Sequence, residues 1–292
     1  MNELINLREA ALRLFTGGRT GEVLNAAPPA GAALQGAITP TELAAALRDL
    51  KSAAVSADGL QVDYAALADS PAYAHYCAVV YALRDFDPSL LTTRAEQLAF
   101  WINLYNGMVL DGVVSYGVRR SVTERLAGLG FFRRIAYNVG GLRYSADDVE
   151  HGVLRANAGN PFLPGPQFAA GDPRLIHAVQ PPDARIHFAL NCASRSCPPI
   201  AAYNAERIDA QLDLAARSFI DADLEIDEPR GALKLSAIFS WYQADFGGPE
   251  GMVRFVRAHL PADDARRRWM DAQDAVDVIF KPYDWGLNNA GG

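Results

Sequence analysis

The chain has 292 residues, half of them apolar, which is enough to bury a sizeable core in one large domain or two. Its 27 basic and 34 acidic residues give a net charge of -7 with no run of like charge, so the electrostatic footprint of a nucleic-acid binder is missing. No window reaches the ~18 uninterrupted apolar residues of a membrane span, and three cysteines argue against a disulfide framework, which makes the cytoplasm the expected location.

At the start, Leu4, Leu7, Ala11, Leu12 and Phe15 recur at helical spacing among charged residues and predict an amphipathic helix, not an export signal. Residues 17–38 are rich in Gly, Ala and Pro and read as a linker, so residues 1–38 form an N-terminal extension and residues 39–292 a single α+β domain. Thr39-Pro40-Thr41-Glu42 is a capping box with proline at the first helical position, opening a helix through about Ala54. Tyr73, Tyr76, Cys77, Val80 and Leu83 then form one apolar stripe, which assigns Cys77 to packing.

Thr93-Arg94-Ala95-Glu96 is a second capping box, and its helix runs to Tyr116, closed by Gly117. Leu98, Trp101, Leu104, Tyr105, Met108 and Val109 make this helix apolar over much of its girth, as expected of a central buried helix. Asn103 and Asn106 fall within that girth and need hydrogen-bond partners.

Beyond it the period changes to two: Ile135, Tyr137 and Val139 alternate, Gly140-Gly141 turns, and Leu142 and Tyr144 resume, predicting a β-hairpin. Ser145-Ala146-Asp147-Asp148 caps a short helix that carries Glu150-His151 and ends near Ala156. Ile186, Phe188 and Leu190 alternate like a strand and lead into Asn191-Cys192-Ala193-Ser194-Arg195-Ser196-Cys197-Pro198-Pro199. A helix over 204–220 turns Ile208, Leu212, Ala215 and Phe219 inward, Ser236 caps a helix bearing Phe239, Trp241, Tyr242 and Phe246, and Val276, Val278 and Phe280 form a last strand. The fold class is α+β: a helical N-terminal part, with a long central buried helix packed on a small, mostly antiparallel sheet.

Two of the three cysteines sit in one loop, and that is where the chemistry is expected. The first reading is a thiol nucleophile, with Cys192 preferred and Cys197 as the alternative, its direction after the turn being undetermined. Strand parity turns His187 away from Cys192, so His151 is the expected base, with Glu150 or Asn106 orienting it. Asn103, His187, Asn191, Ser194, Arg195, Ser196, Cys197, Asp284 and Trp285 are the expected substrate-binding residues. The second reading is a non-catalytic module whose loop and Asn106 line a pocket for a peptide or small molecule. A zinc site is the third, since Cys192, Cys197, His151 and His187 offer suitable ligand types, but Cys-x4-Cys is at the loose end of zinc spacing and no cofactor is required by the first two readings. A redox pair is a fourth, without the spacing of thioredoxin-like chemistry. His75 and His259 lie in helical segments and read as surface or packing residues.

Five separated segments carry a resemblance. They are Val62-Asp63-Tyr64, Gln97 to Asn106, Asp148 to Arg155, the cysteine loop, and Tyr283-Asp284-Trp285 with Leu287-Asn288. In this order they resemble the domain-of-unknown-function 547 family over about residues 62–288. Plant members of that family with coiled-coil extensions suggest scaffold roles, but here a short helix and a Gly/Pro linker stand where those heptads would be. The order of a central helix followed by strands bearing polar residues is also similar to papain-like and transglutaminase-like cysteine hydrolases. Those enzymes place the nucleophile at the start of the central helix, whereas this helix offers Asn103 and Asn106 and the thiols come later.

Overall fold

Both capping boxes form as the sequence predicts, and they set the two helices that frame the core. A computed structural model of the chain describes residues 2–16, 21–29, 38–124 and 129–291, so most of the linker expected at 17–38 lies outside the described residues. Helix α1 (Asn2–Thr16) precedes it. Its apolar stripe does not face the core: Leu4, Leu7 and Leu14 are exposed while Ile5 is buried. Polar contacts hold α1 instead, with Arg8 donating to the Pro164 and Pro166 carbonyls and Glu9 accepting from Arg133.

Thr39 and Glu42 exchange hydrogen bonds at the start of α2 (Pro40–Ala54). Two further helices, α3 (Tyr64–Ala68) and α4 (Pro71–Ala82), lead to α5 (Arg94–Tyr116). The second capping box opens α5, and Gly117 closes it at φ 60°, a left-handed conformation in which glycine avoids the steric cost of a side chain. Every residue from Leu98 to Val113 is buried, so α5 is the axis of the first core, packed on α2, α3 and later elements. Its one carboxylate there, Asp111, accepts from Tyr73 and Tyr137, each at 2.7 Å.

After α6 (Leu129–Arg134), β1 (Ala136–Val139) and β2 (Leu142–Ser145) form the predicted antiparallel hairpin, and Tyr144 packs its ring on Trp101 of α5. The Ser145 hydroxyl accepts from Asp148 N and the Asp148 carboxylate from Ser145 N, a capping box. The helix it opens is π-helical over Asp148–Leu154, a wider turn often found at functional sites.

A second core gathers α7 (Ile208–Asp223), α8 (Ala237–Trp241), α9 (Gly248–His259) and α10 (Ala265–Asp271) around a three-stranded sheet. In that sheet β3 (Glu225–Asp227) runs antiparallel to β4 (Ala232–Leu235), and β4 runs parallel to β5 (Asp277–Phe280). The parallel pairing follows from the helices α8 to α10, which provide the crossover connection between β4 and β5. The strands thus divide into two small sheets, and the hairpin is the one that touches α5. Among the described residues no helix is long and apolar enough to cross a membrane.

The strand expected before the cysteine loop is a correction. Ala184–Phe188 form a 3-10 helix, capped by the Asp183 carboxylate, which accepts from Arg185 N. The apolar alternation has another cause: Ile186 packs in the first core and Phe188 in the second, so this segment threads between them and is buried on both sides. A period of two there reports two cores, not one sheet face.

Candidate functional site

The cysteine loop is fixed from beneath by asparagines. Asn106 donates to Ala189 O and accepts from Asn191 N, both at 2.9 Å. Asn191 in turn donates to Pro198 O and accepts from Ala193 N, holding Ala193 at φ 64°. That conformation costs a residue with a Cβ of order 1 kcal/mol or more, and the surrounding bonds enforce it. Asn103 does the same for Tyr203, with both its N–H and C=O. From the C-terminus, Asn288 N donates to Ala193 O, and its side chain accepts from Tyr64 OH at 2.8 Å. Three of the segments that carry the resemblance, including Val62-Asp63-Tyr64 and Leu287-Asn288, therefore meet at this loop.

Above the loop is a cavity of about 550 Å³ between the two cores, within the size range of small-molecule sites. Cys192, Cys197, Glu150, His151, His187 and Trp285 all line it, so the residues expected to react are brought to one space. The residues before Cys192 are not a strand, so parity does not set the direction of His187, which lines the cavity.

The two sulfurs share a set of donors. Cys192 N–H points at Cys197 Sγ at 2.9 Å, Ser194 Oγ lies 3.3 Å from each sulfur, and Tyr283 OH lies 3.3 Å from Cys192 Sγ and 3.2 Å from Cys197 Sγ. Burial pushes the Cys197 thiol up, but hydrogen bonds from Cys192, Ser194 and Tyr283 outweigh it and bring it down to about 7. Cys192 moves the other way, well above the ordinary thiol value, through burial and through its own hydrogen bond to Cys197. The Cys192 main-chain N–H donates to Cys197 and adds to the same preference. The two thiols titrate as a pair, and the directions of their shifts favour the charge on Cys197 over Cys192. Cys77 is remote and half-buried, with its thiol pushed up to about 11 by burial.

The histidines belong to a different network. His187 Nε2 lies 2.8 Å from Asp245 Oδ2 and its ring stacks on Tyr242 at 3.8 Å between centroids. A carboxylate can only accept, so His187 carries its proton on Nε2. Arg155 grips the same carboxylate with Nε and Nη2, and its Nη1 donates to His151 Nδ1 at 3.2 Å. An arginine can only donate, so Nδ1 of His151 is an acceptor and its proton sits on Nε2, 3.9 Å from Asp147 Oδ1. Burial holds His151 neutral, down to about 4, despite the pull of Glu150. Glu150 accepts from Tyr242 OH at 2.5 Å; burial raises it, but His151, Tyr242 and the cations beyond hold it below the usual range. Asp147 is the opposite case, raised to about 7 by burial with only partial relief from Arg133.

This corrects the expected dyad. Among the described residues no histidine hydrogen-bonds either sulfur, and the His151 lone pair that a base would use is taken by Arg155. Asn106 is also not in the cavity: both its amide groups are spent on backbone. Asn103 and Asn191 are likewise fixtures of the framework, and Ser194 is buried beneath the sulfurs. Arg195, Ser196 and Asp284 lie outside, where Ser196 Oγ accepts from Asp284 N and Arg195 stands 3.9 Å from the Asp284 carboxylate. The sequence reading missed Tyr283, Tyr242, Trp241, Tyr105, Asp147 and Asp245. Tyr105 and Tyr283 lie inside segments that carry the resemblance, so a signal for them was present; Asp245 follows a helix with no motif to mark it. Among the described residues no three His, Cys, Asp or Glu side chains converge to hold a metal ion.

Fold and site define an α+β protein in which a thiol pair and a His, Glu and Asp network line one cavity with aromatic walls. Residues 88–220 match the family described as protein of unknown function, DUF547. That stretch holds α5, the π-helical turn, the cysteine loop and most of α7, whereas Trp241, Tyr242, Asp245 and Tyr283 come from beyond it. No curated protein and no solved structure matches the chain.

Proposed function

We propose that the chain is a cysteine-dependent hydrolase or transferase in which Cys197 is the nucleophile and Cys192 the proton donor. The observation that carries this reading is the Cys192 N–H at 2.9 Å from Cys197 Sγ, which stabilises a thiolate without a histidine base. Cys197 sulfur adds to the acyl carbon of a substrate in the cavity, and the leaving group departs with the proton of the Cys192 thiol. Water then adds to the thioester, giving its proton back to Cys192, and Cys197 leaves as thiolate; another nucleophile in place of water makes the reaction a transfer. Tyr283 and Ser194 hold the pair in register through the hydrogen bonds described above.

The test is p-nitrophenyl acetate as an acyl donor, followed by mass spectrometry of the intact protein. Acetyl attached to wild type and absent from Cys197→Ser supports the reading. A second reading, a non-catalytic binding module, is favoured by the aromatic rings in the cavity wall and by the lack of a histidine hydrogen-bonded to either sulfur. No acetylation, with both loop thiols reacting only at alkaline pH, would select it.

A further inference from the structure

The chemistry of the cavity wall says what kind of ligand it admits. Trp241 and Trp285 stack at 5.3 Å between centroids with 21° between planes, and Tyr283 packs at 4.8 and 4.7 Å from them. Phe162, largely exposed, packs edge-on at 5.7 Å from Trp241 and extends the same wall to the mouth. Two carboxyls, Glu150 and Asp147, line the same cavity. Asp147 is almost fully buried, and its Oδ2 makes no hydrogen bond but stands 3.3 Å from Arg133 Nε.

No Lys or Arg is among the described residues that line the cavity. The cations nearest to it are committed behind the wall. Arg155 is held by both oxygens of Asp245, and Arg133 by Glu9 and Asp147. An anionic ligand would thus face carboxyls with no cation to receive it. A neutral apolar ligand would match the rings but make no use of Glu150, whose hydrogen bond from Tyr242 leaves it ionised. Aromatic rings attract cations through the ring quadrupole, and a carboxylate attracts them directly, more strongly in a site that excludes water.

We infer that this cavity binds a small ligand, or a side chain, bearing an organic ammonium group, with the cation between Glu150 and the Trp241/Trp285 wall. The inference rests on the cavity being the functional site of the proposed enzyme, but it does not require thiol chemistry. It also gives the site a direction: the uncharged part of the ligand extends along the aromatic wall toward Phe162.

Isothermal calorimetry of the full chain at neutral pH with benzylammonium, benzyl alcohol and benzoate tests this, because the three share a ring and differ in charge. Benzylammonium should bind at least about tenfold more tightly than benzyl alcohol, a preference of ~1.4 kcal/mol, and benzoate should bind more weakly than either. Glu150→Gln should bring the ammonium and alcohol affinities to within about threefold, while Cys197→Ser should keep the preference. Equal affinity of ammonium and alcohol, a preference for benzoate, or no heat from benzylammonium in wild type would overturn the inference. These results do not depend on the acetylation of Cys197, so a failure of the thiol reading and a failure of the ligand class show themselves separately. Should Glu150→Gln fail to fold, the wild-type series alone still decides.

Discussion

The main-chain N–H of Cys192 lies 2.9 Å from the sulfur of Cys197, five residues on. Cys192 thus supports a charge on its neighbour while its own thiol is raised well above the ordinary value. Three different thiols follow in one chain. Native alkylation with iodoacetamide, mapped by mass spectrometry against pH, should show one loop thiolate forming near about 7 and Cys77 reacting only toward about 11. Cys197→Ala should remove the neutral phase, and Tyr283→Phe should move it to higher pH by removing a donor. A neutral phase that survives Cys197→Ala would place the charge on Cys192.

Asn103 and Asn106 both clamp backbone, so the amides expected to bind substrate and to orient the base are both fixtures of the framework. Asn103→Leu and Asn106→Leu should each cost ~1–3 kcal/mol, because each strands a buried N–H and a buried C=O. Urea unfolding measures it. Only Asn106→Leu should also disturb thiol alkylation, since it releases Asn191 and through it the turn at Ala193.

Asp245 holds His187 and Arg155 together, with both partners buried. Asp245→Ala should destabilise by ~3–5 kcal/mol, as expected when a buried cation loses its counter-ion. Asp245→Asn keeps an acceptor and should cost less. Denaturant midpoints that do not separate the two variants would show that the charge of Asp245 is not what stabilises this corner.

The histidine and the carboxyl at the cavity respond to acid in opposite directions. His151 falls to about 4 in the fold from 6.5, so the unfolded chain takes its proton first and stability is lost as pH drops below 6.5. Asp147 rises to about 7 from 3.8, so the folded chain takes its proton first and stability is gained as pH drops below about 7. His151→Gln removes only the first effect. Its melting temperature relative to wild type should therefore become more favourable as the pH is lowered from about 7 to about 5. A constant difference across that range would mean that His151 is already as free to protonate in the fold as outside it.

Gly107 lies on α5 where a Cβ would collide with the ring and hydroxyl of Tyr76, which is fully buried and accepts a hydrogen bond from Tyr137. Gly107→Ala should cost ~1–3 kcal/mol despite its better helix propensity, the usual penalty of overpacking. Thermal unfolding checks the sign.

Local signals reached the fold well. Both capping boxes, the left-handed stop at Gly117, the Gly140-Gly141 hairpin and the buried girth of α5 are written in residues no more than a few positions apart, and backbone geometry turns such spacing directly into structure. Before the cysteine loop, periodicity failed because its physical cause changed. Ile186 and Phe188 alternate because they enter different cores, a fact held in α7 to α9 and not in the segment itself.

The sequence alone singled out Cys192, Cys197, Glu150 and His151 as candidates, since reactive types cluster there, and the fold brings them to one cavity. The sequence did not determine what each one does. Which sulfur carries the charge depends on a main-chain N–H that Asn106 and Asn191 aim, and on the hydroxyl of Tyr283. Whether His151 can act as a base depends on Arg155 taking its lone pair, with Asp245 fixing Arg155 in turn. Hydrogen-bond direction and desolvation are properties of the packed interior, set by partners up to ninety residues apart, and only the tertiary structure brings those partners within reach.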